Sequence, residues 1–160
     1  MGEIGSAEWT VALTTLVVVM LAIFFHFEVI AALNRWGAER RLRRRGSSHH
    51  HHRPTLLMVM FALLLAHIAE IWLFGLAYWA LLSLPELGAI EGYGSLNFLD
   101  CIYFSATTYT TVGWGDLFAT GPVRFLAGTE ALVGFMLITW SASFVYLIMA
   151  RTWGEDESGL

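Results

Sequence analysis

The sequence predicts an all-α membrane protein with three transmembrane helices and one re-entrant segment. Three observations point to that class. Of 160 residues, 57% are hydrophobic and only 14% charged, a more apolar balance than soluble domains carry. A short chain has too much surface to hide such a surplus in a soluble core, whereas a bilayer solvates it. The apolar residues gather in three runs, each long enough to cross a hydrocarbon core that needs about 20 helical residues. All nine basic residues are Arg, and seven of them fall between Arg35 and Arg53, in the gap between the first two runs.

The first run extends from Trp9 to Leu33, bracketed by Trp9 and Trp36 as aromatics bracket a span at the membrane interface. Residues 1–36 are therefore expected to form an N-terminal transmembrane helix. Met1–Glu8 carries two acids and no base, unlike the start of a cleaved signal peptide, so this run is expected to stay in the mature protein. Residues 37–54 read as a cytoplasmic Arg/His-rich loop. Nucleic acid could attract its charge, but its place between two spans favours a membrane flank, with Arg40, Arg41, Arg43, Arg44 and Arg45 against anionic lipid headgroups. His49–His52 follow Gly46-Ser47-Ser48 in the manner of an expression tag, yet lie inside the chain. Whether natural or engineered, they could capture metal weakly. A voltage sensor would repeat Arg at every third position within a span, and no run does so.

Pro54 opens the second run, which reaches Leu84 and is closed by Pro85; Gly88–Gly94 reads as a short polar loop. Asn97 can cap a helix with Asp100 at its N3 position. That helix, Phe98–Tyr109, has about 12 residues, too few to span, and is expected to be re-entrant. Gly121-Pro122 opens the third run, Val123 to Met149, and residues 151–160 form a short acidic tail. The lone Cys101 excludes an intrachain disulfide framework. Arginine asymmetry puts the loop in the cytoplasm, the N-terminus outside and the C-terminus inside, in a cell inner (plasma) membrane, with Arg124 the one exception.

Between the short helix and the third run lies Thr107–Asp116, T-T-Y-T-T-V-G-W-G-D. Gly113 and Gly115 give access to φ > 0, so the strand can turn successive carbonyl oxygens to one side. Copies around an axis would stack those oxygens in rings, a substitute for an ion's hydration shell. A chain with three spans cannot surround such backbone itself, and each unpaired main-chain group in lipid costs several kcal/mol, so the physics asks for an oligomer.

This stretch resembles the potassium-channel signature, whose filter is built from main-chain carbonyls, with Trp114 where that family usually carries Tyr or Phe. The run His67–Trp72, H-I-A-E-I-W, is also similar to small bacterial three-span ion-channel proteins. The resemblance implies a pore domain over residues 55–150, made of outer helix, pore helix, selectivity filter and inner helix, in a homotetramer. It implies K+ ions at the carbonyls of Thr111, Val112, Gly113 and Trp114 and at the Thr111 hydroxyl, and no organic cofactor. Thr110, Gly115 and Asp116 would support the filter strand, and Tyr103 and Phe104 would brace it. Thr107 stands where some members place a carboxylate bonded to the aspartate after the filter, so that bond is expected to be missing. Gly134 occupies a gating-hinge position, with close helix packing as its other reading. Ala142 and Ser143 would face the cavity below the filter.

Ionisable residues inside the runs carry the remaining expectations, since such residues are costly in lipid and usually functional. Glu130, near the rear of the filter, can hold the short helix by a hydrogen bond. His67 and Glu70 share a helix face, and His26 lies at similar depth, near Glu28. A His–Glu contact across helices would fasten the first helix to the pore module; pH sensing is the sharper alternative. Three functions follow: a potassium-selective channel, a weakly selective cation channel if the Trp114 ring widens the strand, or a non-conducting membrane interaction protein. An enzyme is not expected, because His67/Glu70 is the only metal-ligand spacing and is too small a set by itself.

Overall fold

The computed structural model describes residues 5–43, 52–92 and 94–157. Helix α1 covers Ser6–Arg43, α2 His52–Leu81, α3 Phe98–Tyr109 and α4 Arg124–Glu157. A 3-10 turn, Pro85–Leu87, leads from α2 to strand β1, Ala89–Glu91, and a second turn, Gly121–Val123, joins strand β2, Phe118–Thr120, to α4. Three segments are long and apolar enough to cross a membrane: Ser6–Arg40, Thr55–Leu81 and Gly121–Ala150.

The expected spans are present, and three of their boundaries move. The segment read as a loop over 37–54 is helical at both ends, because α1 continues to Arg43 and α2 begins at His52. Pro54 falls in the first turn of α2, where its missing N–H removes no intrahelical bond. Arg44, Arg45 and His49–His51 lie outside the described residues. The segment read as a tail continues α4 to Glu157. Within the stretch read as a polar loop, β1 pairs antiparallel with β2, Ile90 opposite Ala119, which ties the chain after α2 to the chain entering α4.

Each long helix buries one stripe. On α1 the stripe is Val11, Thr15, Val18, Ala22 and His26, and on α2 it is Val59, Leu63, Ala66, Glu70, Phe74, Ala77 and Leu81. On α4 it is Leu126, Glu130, Val133, Leu137 and Ser141. These are the three- and four-residue steps of a helix face. α1 packs on both α2 and α4 of its own chain, and α3 lies between α2 and α4. Large apolar side chains cover the opposite faces, among them Phe24, Phe61, Leu65, Leu132 and Phe135, all exposed. Lipid or other copies of the chain are the solvents that suit them.

α3 starts at a full capping box: the Asn97 side chain accepts from the backbone of Leu99 and Asp100, and the Asp100 carboxylate accepts from the Asn97 N–H at 2.7 Å. Glu130 anchors its middle. The carboxylate is fully buried and accepts from Ser105 Oγ of α3 and Tyr78 OH of α2, both at 2.5 Å. Gly134 receives its end: a Cβ there would drive into the Tyr109 carbonyl.

Two outcomes follow for the detergent-solubilised protein. Glu130→Ala strands the buried Tyr78 hydroxyl, while Ser105 keeps the Ile71 carbonyl at 2.9 Å, and should cost about 1–3 kcal/mol, read as a lower thermal unfolding midpoint. Glu130→Gln, which keeps an acceptor, should lose less. Gly134→Ala should cost about 1–3 kcal/mol by overpacking, seen as a lower midpoint with unchanged helical circular dichroism.

Candidate functional site

α3 ends at Tyr109, and Thr110 closes it, its hydroxyl donating to the Ala106 carbonyl at 2.7 Å. The chain then folds back on the helix end, with Thr111 N–H donating to the Thr108 carbonyl (2.9 Å) and Gly113 N–H to the Thr107 carbonyl (3.1 Å). Beyond that point the backbone alternates in hand. Thr111, Gly113 and Gly115 have φ of 60°, 49° and 79°, whereas Val112 and Trp114 between them are not in the positive-φ region. Alternation of this kind aligns successive peptide dipoles on one side of the ribbon.

The glycines at 113 and 115 are required by conformation, since a Cβ on either would meet nothing within 4 Å in its own chain. Thr111 is the departure from sequence expectation. A β-branched residue at φ > 0 is an outlier worth on the order of 1–3 kcal/mol of strain, and such strain gathers at functional sites. Residues 110–115 are all exposed, Trp114 at 73% and Val112 at 53%. Among the described residues, no part of this chain encloses the stretch.

Among the residues expected to support it, Tyr103 donates its hydroxyl to Asp116 Oδ2 at 2.9 Å, a bridge from α3 to the outer end of the stretch. Phe104 turns the other way and packs edge-on against Tyr78. Thr107 donates to the Phe104 carbonyl at 3.0 Å. α4 is helical without a break through Gly134. Ala142 and Ser143 are exposed on its outer face.

Behind the end of α3 lies a polar cluster that draws on all four helices. Glu70 is 99% buried; its Oε1 meets His26 Nδ1 at 2.8 Å, and its Oε2 accepts from Tyr109 OH at 2.5 Å and meets His67 Nδ1 at 3.1 Å. Ser141 Oγ lies 3.2 Å from His26 Nε2 and 3.1 Å from His67 Nε2. His26, His67 and Glu70 thus come together. Glu28 does not join them: it faces outward, half exposed, 3.8 Å from Arg35. One helical step, two residues past His26, carries it about 200° around the axis at 100° per residue, away from the buried stripe.

Tyr109, Ser141, Tyr78 and Ser105 were missed as site residues. Periodicity held the signal for two of them: Ser141 is three turns from Glu130, and Tyr78 is two turns from Glu70. At the far end of α1 the Arg40 guanidinium stacks on Trp36, 4.2 Å from the ring centroid.

Comparison with known proteins adds one positive finding. A family model described as Ion channel matches residues 56–151. No curated protein and no solved structure matches the chain. The matched segment takes in α2 from its second turn, the capped α3, the glycine stretch and the whole apolar span Gly121–Ala150, so this multi-pass membrane protein belongs to the ion channel family.

Proposed function

We propose that four copies of the chain assemble around an axis and conduct K+ down its gradient through a filter made of residues 111–114. The alternating backbone of residues 111–115 carries this reading, because it is the arrangement that lines up main-chain oxygens for a dehydrated cation. The carbonyls of Thr111, Val112, Gly113 and Trp114 and the Thr111 hydroxyl bind the ions. Exposure of residues 110–115 supports the assembly: backbone at membrane depth persists where protein covers it or water reaches it, and here other copies must supply the cover. The C-terminal end of α3 leads into the stretch, and its partial negative charge favours a cation below the filter.

In this reading the Arg-rich flank lies in the cytoplasm against anionic lipid, and the N-terminus lies outside the cell. Gly134 serves packing against α3, and Tyr103 and Asp116 brace the filter's outer end. The His26–Glu70 contact fastens α1 to the pore module. Trp114 supports a second reading, weakly selective cation conduction, since its own chain leaves 73% of it exposed and a larger ring must fit behind the filter.

Bi-ionic recordings on the purified protein in liposomes separate the readings. A tenfold permeability ratio moves the reversal potential by about 59 mV for a monovalent ion; the K+-selective reading expects at least that shift towards potassium over sodium. A reversal potential near zero favours the weakly selective pore, and absence of flux sinks conduction altogether. Gly113→Ala should abolish flux while the protein still folds, because it adds about 1–2 kcal/mol of left-handed strain per chain to a strand that contributes no core packing. Flux at the wild-type level in that variant would remove residues 111–114 from the pathway.

A further inference from the structure

We propose that His26, His67 and Glu70 form an intramembrane binding site for a divalent transition-metal ion of zinc's class, one per chain. Their donor atoms lie within 4.8 Å of one another. Sequence spacing offered only the His67/Glu70 pair of α2; folding adds His26 from α1 and completes a two-histidine, one-carboxylate set, which suits zinc and its neighbours better than magnesium or calcium.

Three features of the cluster point to a metal. The first is convergence: both Nδ1 atoms face the same carboxylate, at 2.8 Å and 3.1 Å. Donors around a tetrahedral zinc, each about 2.0–2.1 Å from the ion, stand roughly 3.3 Å apart, so each nitrogen–carboxylate gap is within a few tenths of an ångström of that spacing. The second is orientation. Both Nε2 atoms meet a single hydroxyl, Ser141 Oγ, and Tyr109 OH holds the Glu70 oxygen that faces His67. Outer partners of this sort fix the ring tautomer and aim the inner nitrogens at a metal.

The third is a shortage of hydrogens. With neutral rings and an ionised Glu70, each ring offers one N–H, and Tyr109 and Ser141 offer one O–H each. Those four hydrogens must serve six contacts: two from the rings to Glu70, one from Tyr109 to Glu70, one between His67 Nδ1 and Tyr109 OH, and two from the rings to Ser141. The His67 Nδ1–H can be shared between Glu70 and Tyr109, and one ring contact to Ser141 still lacks a hydrogen unless a ring takes up a proton. A metal ion among the Nδ1 atoms and the carboxylate resolves it without that proton: both Nδ1 atoms become ligands, and Ser141 Oγ, with two lone pairs, accepts from both Nε2–H groups. His67, with 16% of its side chain exposed, is the open side.

The test uses the full-length protein in detergent with His49–His52 replaced by serine, which removes the competing histidine run. Metal-free protein is titrated with Co2+, whose tetrahedral complexes absorb visibly, and then with Zn2+; bound metal is counted by elemental analysis after gel filtration. One equivalent per chain and a visible band displaced by Zn2+ are expected. His67→Ala should abolish both. Ser141→Ala should weaken binding by about 10–100-fold, the usual effect of losing an outer partner. Circular dichroism and elution volume verify that each variant folds. If the serine background binds no metal, or if folded His67→Ala binds like its parent, the site is a hydrogen-bonded proton clamp and the proposal fails. Neither readout involves ion flux, so this result stands or falls separately from conduction.

Discussion

A polypeptide backbone cannot leave its N–H and C=O groups bare in hydrocarbon, and the rest of the molecule follows from that constraint. α1, α2 and α4 satisfy it internally as helices. The stretch from Thr110 to Gly115 does so only in part, through the N–H groups of Thr110, Thr111 and Gly113, and its own chain leaves it exposed. A helix too short to span, α3, leads into the stretch. The capping box at Asn97, the Tyr103–Asp116 bridge and the β1–β2 pair hold the two ends of this excursion. What remains uncovered is the part that the proposed assembly needs.

Two buried carboxylates fix where α3 sits. Ser105 and Tyr109 are four residues apart on one face of α3, and each donates to a carboxylate from a different neighbour, Glu130 of α4 and Glu70 of α2. In lipid, apolar contacts between helices carry little hydrophobic driving force, so dispersion alone leaves rotation and depth loosely determined. Directional bonds at two heights determine both. Among the described residues every buried side-chain polar atom has a partner, which is the condition under which polar groups in a low-dielectric interior stiffen a structure.

Much of this was legible in the residues. The spans, the short capped helix and the two glycines announce themselves through hydropathy, a capping signature and paired small residues. The approach of His26 to Glu70 could be anticipated from depth along the helices, but Glu28 could not be sorted from His26 without knowing which face of α1 packs. α1 is apolar nearly all round, so its sequence gives no face. Thr111 was hidden for a different reason: a left-handed backbone at a β-branched residue is imposed by its surroundings against local preference. The β1–β2 pairing joins residues about thirty positions apart, beyond the reach of local pattern. Ser141 looked no different from Ser143, the other serine of α4, until α1 and α2 placed two imidazoles against it.

The packing of α1 has a consequence for biogenesis. His26 gains Glu70 from 44 residues downstream and Ser141 from 115 residues downstream. A first helix emerging from the ribosome thus enters the bilayer with a polar ring that has no companion. Insertion of α2 supplies the first companion, and the hairpin of α1 and α2 can close before α3 is made. The last companion arrives only with α4, so the bundle is sealed once α4 is made, with translation order and polar pairing running in the same direction.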